Sequence, residues 1–427
     1  MLDIKLIREN PEIVKNDLEK RQEPEKLKML EELIENDKKY RESLQELQNL
    51  KHKKNIISKE ISELKKQGKD VSLKKKEAEK IPGTIKKLED ETVKLKEKID
   101  YALMRLPNIL HESVPFGKDE NDNVVIKTWG KPPKFDFKPK GHADIAVNLG
   151  LMDLERAAKV VGRGFYYLKG PLALLDQAIY MYAINFLIKK GYLLIIPPSM
   201  LRRDAYEGLV DLADFESVMY KIENEDLYMI ATAEHPMGAM FKDDVLDKND
   251  LPIKFVGIST NFRKEIGAHG KYTKGLFRVH QFNKVEQFIF CLPEHSWKYH
   301  EELQKNSEKL YEGLGLHYQV VNVCTGDIGT LAAKKYDILV WMADGQFRET
   351  GSNSNCTDYQ ARRLNIRYRE KEGKSPIGFV HTLNNTALAT SRTLIAILEQ
   401  FQQADGTVII PEALRPFMNG MEKLEKI

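Results

Sequence analysis

The sequence contains only three cysteines in 427 residues, Cys291, Cys324 and Cys356, and no Cys-x-x-Cys pair. This scarcity excludes a disulfide framework and a cysteine-built zinc site, and it fits a reducing compartment. No run approaches the roughly 20 consecutive apolar residues of a membrane span. The first residues, Met1-Leu-Asp-Ile-Lys-Leu-Ile-Arg-Glu-Asn-Pro11, lack the apolar segment of a secretion signal. The expectation is a cytoplasmic protein with no membrane partner. Neither Gly-x-x-x-x-Gly-Lys-Ser/Thr nor a Gly-x-Gly-x-x-Gly fingerprint occurs, so any nucleotide must be held by side chains. A large charge excess is missing too. The net charge is +3, so a nucleic-acid partner has to be read from where the basic residues cluster.

What the chain does have is enough apolar sequence, 42%, for one large core and a second unit, together with 31% charged residues. The charge is concentrated between Leu27 and Leu106, a stretch dominated by Lys, Glu and Leu, as in long exposed helices. Ala78, Ile81, Ile85, Leu88, Thr92, Leu95, Ile99, Ala102 and Leu106 advance by alternating steps of three and four, the seam of a coiled coil. Leu30, Leu33, Tyr40, Leu44, Leu47, Ile57, Ile61 and Leu64 form a less regular partner seam, with Gly68-Lys69-Asp70 as the turn between the two helices. The pattern predicts an antiparallel helical hairpin. Pro82-Gly83 predicts a kink or short break in its returning arm. From Lys51 to Lys76 there are ten lysines against Glu60, Glu63 and Asp70, a local charge of +7. Two readings stay open for this tip: a solvated spacer, or a surface for RNA phosphate.

Residues 107–140 turn to Pro, Gly, Asp and Asn and read as a connector between a helical arm at 1–106 and a second domain at 141–427. In that domain strand-like segments such as Tyr192–Ile196, Leu227–Ala231 and Phe277–Phe290 are separated mostly by loops. The fold class expected is α+β, an antiparallel sheet flanked by helices. Arg263 and Glu265, two apart on a strand, would share a face, as would His280, Phe282, Lys284 and Glu286. An arginine fork suits phosphate, a carboxylate accepts from an amino group, and an aromatic can stack on a base. A surface ion pair and core packing are the bland alternatives. Arg392 precedes the apolar run Leu394–Phe401, which puts a cation near a helix N-terminus, where a bound anion would offset the dipole. Glu349 and Ser352 are oxygen donors of the type Mg²⁺ takes.

The order of these pieces carries a resemblance. Met1–Pro11, Ala231-Thr-Ala-Glu-His235, Phe262-Arg-Lys-Glu265, Gly275-Leu-Phe-Arg-Val-His-Gln-Phe282, Cys324-Thr-Gly-Asp327, Tyr359-Gln-Ala-Arg-Arg363, Gln402-Gln-Ala-Asp-Gly406 and Ile410-Pro-Glu-Ala-Leu-Arg-Pro416 follow one another as in the seryl-tRNA synthetases. The sequence resembles the bacterial-type class II form that archaea also use. The resemblance implies ATP-dependent activation of L-serine to seryl-adenylate and transfer to tRNA(Ser), with tRNA(Sec) left open as a second acceptor. It also implies a homodimer formed around the helix before Gly191 and the strand ending at Pro197-Pro198.

In its terms Arg263, Glu265 and Arg392 are the catalytic residues, at the α-phosphate, the adenine amino edge and the γ-phosphate. Lys264, Val279, Phe282, Glu349, Thr350, Gly351 and Ser352 complete the ATP site, with Phe282 under adenine and Glu349 and Ser352 holding Mg²⁺. Thr232, Ala233, Glu234, Arg263, Glu286 and Thr386 form the serine pocket. The basic arm becomes a tRNA clasp. One departure falls in the last motif, Asn384-Asn-Thr-Ala-Leu-Ala-Thr-Ser-Arg392, which lacks the family's usual glycines. The segment 208–215 is closer to archaeal members. A carrier-protein-loading paralogue and a non-catalytic RNA-binding paralogue are the alternatives. The long arm argues against the first, and joint retention of Arg263, Glu265, Glu286, Glu349 and Arg392 argues against the second.

Overall fold

The computed structural model describes residues 1–211, 215–265 and 275–427, which form two compact units, Met1–Pro107 and Asn108–Ile427. The segment 266–274, between the two motif strands, lies outside the described residues, as does part of the 208–215 segment.

The first unit is helical: α1 (Ile4–Glu9), α2 (Pro11–Arg21), α3 (Pro24–Lys66) and α4 (Ser72–Leu103). Helices α3 and α4 pack along each other, and the expected seam is the one that is buried, with Leu30, Leu33, Leu47 and Ile57 facing Ile81, Ile85, Leu95 and Ile99. The outgoing seam is more regular than its apolar residues suggest, because Asp37 fills the step between Leu33 and Tyr40. This buried carboxylate accepts from Arg8 Nε and Nη2 at 2.9 and 2.6 Å and from Arg41 Nε at 3.0 Å. The two guanidiniums outweigh its burial and hold its pKa below the usual carboxylate value. At the tip, Gly68 takes the left-handed conformation (φ 71°), and Asp70, one residue before the N-cap Val71, accepts from the Ser72 amide at 2.9 Å. The break expected at Pro82 does not occur: α4 is one helix through it. Proline removes one backbone bond there, while Ile81 and Ile85 on either side remain buried in the seam.

The second unit is built on an eight-stranded sheet of β1 (Val124–Trp129), β2 (Leu193–Ile195), β3 (Ile253–Phe262), β4 (Gln281–Cys291), β5 (Tyr318–Asn322), β6 (Lys334–Trp341), β7 (Phe347–Asn355) and β8 (His381–Ala389). Their order is β1-β5-β6-β7-β8-β4-β3-β2, antiparallel throughout except that β2 runs parallel to β3. The stretch 107–140, read as a connector, therefore supplies an edge strand. Its Val124, Val125 and Ile126 remain about half exposed at the sheet margin.

One face of the sheet is covered by α5 (Gly170–Ile188), α7 (Ser296–Gly313) and α8 (Thr390–Gln400), around a core that includes Val285, Ile289, Leu303, Leu310, Leu394 and Leu398. The short helix α6 (Glu234–Ala239) packs on the opposite face with Phe255, Phe288 and Phe290. Along β4 the two-residue alternation thus sends Val285 and Ile289 to the helices and leaves Phe282, Lys284 and Glu286 on the other face. Helix α5 is long and apolar enough to cross a membrane by length and composition alone. Leu172, Leu175, Ile179, Ala183 and Leu187 place one of its sides in the core.

Candidate active site

Two cavities open on the face of the sheet away from α5, α7 and α8. The smaller, about 120 Å³, is walled by Arg263, Glu265, Phe277, Val279, Phe282, Glu349 and Arg392. The larger, about 490 Å³, contains Thr232, Glu234, His235, Glu286, Ser352 and Asn384. Arg263, Lys284, Glu349 and Thr386 border both. Segments far apart in sequence therefore converge on one cleft.

The small cavity has a cationic lining. Arg263 follows the end of β3, with its guanidinium carbon 5.1 Å from the Phe282 ring centroid, and its Nη2 donates to Ala231 O at 3.4 Å. Arg392 lies in the first turn of α8, donates from Nη1 to Glu349 O at 2.6 Å and sits 5.0 Å over the Phe277 ring. Enclosure lowers the pKa of Arg263, and the charge of Arg392 adds to the effect. Two cations near a helix N-terminus suit an anionic ligand. Glu265 departs from the expected geometry: β3 stops at Phe262 and Glu265 has φ 45°, so the alternation that would align it with Arg263 is broken. Its carboxylate is 3.3 Å from Arg278 Nη1, yet it still borders the cavity. Strand β4 likewise starts at Gln281, not Phe277, which leaves His280 before the strand.

The large cavity is acidic at its floor. Lys284 Nζ and Glu286 Oε2 are 2.7 Å apart, both buried, and the Thr386 hydroxyl donates to the same oxygen at 3.2 Å. The sequence differs from the family's glycine-rich motif here, and the Thr386 hydroxyl is nonetheless placed against Glu286. Glu234 accepts from Asn384 Nδ2 at 3.0 Å and Gln360 Nε2 at 3.3 Å, and its backbone amide donates to Thr232 Oγ1 at 3.1 Å. Burial, then the nearby charge of Glu286, pushes the Glu234 carboxyl up to about 7. Burial also raises Glu286 despite Lys284, and drops neighbouring His235 to about 3, so that this imidazole is neutral.

Not every expected residue reaches the cavities. Ala233 is fully buried in the core under Met237 and Phe255. Lys264 lies outside both cavities, its amide bound to Val218 O. Thr350 and Gly351 do line the smaller cavity, although Thr350 turns its hydroxyl to Ile338 O at 3.2 Å, and Gly351 keeps β7 close to β8, since a Cβ there would lie 3.3 Å from Thr386 O. Asn384, Gln360 and His235 join the site without having been given a role in it from the sequence, and so does Lys284, which was read only as sharing a face with Phe282 and Glu286. Lys284 was within reach through its two-residue spacing from Glu286. Gln360 and Asn384, 126 and 150 residues from Glu234, carried no local signal.

Glu349 and Ser352 offer an oxygen-only donor set beside the cationic cavity. Opposite Ser352 in the β6–β7 register, buried Asp337 leaves Oδ1 without a hydrogen-bond partner among the described residues. Among the described residues no three His, Cys, Asp or Glu side chains cluster as for a metal. The oxygen donors of Glu349 and Ser352 are of the type that suits Mg²⁺, which takes one or two protein oxygens and fills its shell from phosphate and water.

The family model of the seryl-tRNA synthetase N-terminal domain matches residues 1–110, and that of the class II tRNA synthetase core domain (G, H, P, S and T) matches residues 218–401. The serine–tRNA ligase of Methanocella arvoryzae is 54% identical over 99% of this chain and 100% of its own length. The crystal structure of seryl-tRNA synthetase from Pyrococcus horikoshii complexed with ATP superposes with a TM-score of 0.96 at 50% identity, covering 100% of both chains. The cytoplasmic serine–tRNA ligase of Naegleria fowleri in complex with AMP gives 0.90 at 36% identity, over 100% of this chain and 99% of that one. With both of its units matched and its whole length shared with such relatives, the chain belongs to the seryl-tRNA synthetase family of class II aminoacyl-tRNA synthetases.

Proposed function

We propose that the chain activates L-serine with ATP to seryl-adenylate and transfers the seryl group to the 3′ end of tRNA(Ser) in the cytoplasm. The observation that carries this reading is the shared wall of the two cavities. Arg263 stands between a cationic cleft ending at Arg392 and an acidic pocket floored by Glu286, where an α-phosphate and a serine carboxylate have to meet. In-line attack of that carboxylate on the α-phosphorus needs no enzyme nucleophile. Arg263 stabilises charge on the α-phosphate oxygens, Arg392 anchors the γ-phosphate, and Phe282 and Val279 bound the adenine side. Glu349 and Ser352 would hold Mg²⁺, which supplies charge neutralisation on the phosphates when bound. Glu286 and Thr386 accept from or donate to the serine hydroxyl, and Glu234 with Thr232 receives its ammonium. A pocket built around a hydroxyl leaves buried groups unpaired with alanine, the source of discrimination. ATP–pyrophosphate exchange tests the reading directly.

Serine binding should be linked to proton release. The folded Glu234 carboxyl holds its proton up to about pH 7, while an ordinary glutamate gives it up near 4.5. The ligand-free protein therefore loses stability from this group as pH rises through that window. An incoming ammonium favours the carboxylate, so calorimetry in buffers of differing ionisation enthalpy should detect a fractional proton released at near-neutral pH. Glu234→Gln should abolish that release and flatten the pH dependence of melting. Undiminished release in the variant would remove Glu234 from this role.

The arm is assigned to tRNA. Some tip lysines are already paired: Lys51 with Glu89, Lys53 with Glu77 and Lys74 with Glu60, each at 2.7–2.8 Å. These cross-helix pairs hold the hairpin and are worth little individually. Lys65, Lys66, Lys75 and Lys76 form no ion pair among the described residues and remain for phosphate. Lys75→Ala with Lys76→Ala should weaken tRNA binding and reduce the log–log salt slope by roughly one for each phosphate no longer neutralised. Lys74→Ala should do less. An unchanged slope in the double variant would make the tip a spacer. For the homodimer, the support is an apolar margin at α5 and β2, where Met181, Ile188, Leu193 and Ile196 are 45%, 46%, 61% and 77% exposed.

A further inference from the structure

His280 lines neither cavity, yet it is tied to Arg263 more closely than any other side chain described. Its Nδ1 lies 2.9 Å from Arg263 O and 2.8 Å from Tyr220 Oη. A carbonyl oxygen only accepts, so a bond to Arg263 O requires the tautomer with hydrogen on Nδ1, in which Tyr220 Oη serves as a second acceptor. The backbones close the same pair from the other side, Arg263 N donating to His280 O at 3.0 Å and His280 N to Gly164 O at 2.9 Å. The imidazole stacks on Phe165 with centroids 5.1 Å apart and planes 13° apart. Gly164 has φ 84°, and a Cβ there would come within 2.4 Å of His280 Cδ2. The ring therefore fills its slot with no spare room. By contrast, among the described residues the Arg263 guanidinium makes one long hydrogen bond, to Ala231 O at 3.4 Å, beside its 5.1 Å approach to the Phe282 ring. Its aim is set mainly by its main chain.

We propose that His280 is a positioning residue for ATP: its Nδ1–H bond to Arg263 O fixes the main chain of Arg263 and so directs the guanidinium at the α-phosphate, without touching the nucleotide. The inference rests on the role given to Arg263 above. It predicts that the effect follows the ring atom that makes the bond. Asparagine places an amide nitrogen where Nδ1 sits, whereas glutamine places one near Nε2, and both lose the stacked ring.

In ATP–pyrophosphate exchange with the full-length protein, His280→Gln should raise the KM for ATP about tenfold or more, with the KM for serine changed less than about twofold. His280→Asn should recover most of that loss. Gly164→Ala, which displaces the ring while leaving His280 in place, should reproduce the ATP-selective defect and serves as the second variant should His280→Gln fold poorly. Equal effects of asparagine and glutamine, an unchanged KM for ATP in both Gly164→Ala and His280→Gln, or a parallel rise for serine would overturn the proposal. Arg263→Ala separates the two levels: if it abolishes exchange while the His280 and Gly164 variants behave as the parent, Arg263 keeps its role and only the positioning role falls.

Discussion

Replacing Arg263 with alanine should lower the rate of seryl-adenylate formation by about 10²–10³-fold, the usual cost of deleting one preorganised donor at a developing charge. The expectation rests on where the guanidinium stands. It borders both cavities, and it carries its charge in an enclosed position facing a second cation, Arg392. Such an arrangement is unfavourable without an anion and favourable with one, so phosphate binding gains by relieving the repulsion between the two guanidiniums. Because Glu265, Glu349 and Glu234 favour the charged guanidinium while burial and Arg392 oppose it, Arg263→Ala should change the melting temperature of the ligand-free protein little. Affinity for tRNA, which the proposed function assigns to the arm, should be unaffected in a filter-binding assay. Adenylation at the parent rate would refute the assignment.

The second large effect is expected at Glu286. Its carboxylate is 2.7 Å from Lys284 Nζ, with side-chain exposures of 1% and 9%. Truncation to alanine leaves a buried ammonium with neither its counter-charge nor that acceptor, which costs about 3–5 kcal/mol. Glu286→Ala should therefore melt well below the parent and lose serine-dependent exchange. Glu286→Gln also removes the counter-charge but keeps an acceptor for Lys284 and Thr386, so it should lose less stability than the alanine variant while losing serine affinity. This split between fold and function is the diagnostic feature. If both variants melt like the parent, Glu286 does not supply the counter-charge on which buried Lys284 depends.

The parts of the fold that were legible in the sequence were those where periodicity and burial coincide. The returning helix could be read because Ile81, Ile85, Leu95 and Ile99 are both apolar and buried. The outgoing helix looked irregular because one seam position is Asp37, made tolerable by Arg8, 29 residues away, and no local pattern announces such a partner. Edge strand β1 was hidden for the opposite reason: its valines are exposed and its neighbours rich in turn residues. At the site, period-two spacing brought Phe282, Lys284 and Glu286 to one face, as it should within a strand. It failed for Glu265, because one residue in left-handed conformation ends the alternation. Arg392 was placed in the first turn of its helix from the apolar run that follows it. The amide cradle of Glu234 could not be read at all, since Gln360 and Asn384 arrive through tertiary packing of β8 and the helix at Tyr359–Leu364.

ATP–pyrophosphate exchange, run with each amino acid in turn, tests the central claim most directly. The geometry predicts exchange supported by serine and not by alanine, which lacks the hydroxyl that Glu286 and Thr386 are placed to meet. No exchange with serine, with another amino acid supporting it, would contradict the account.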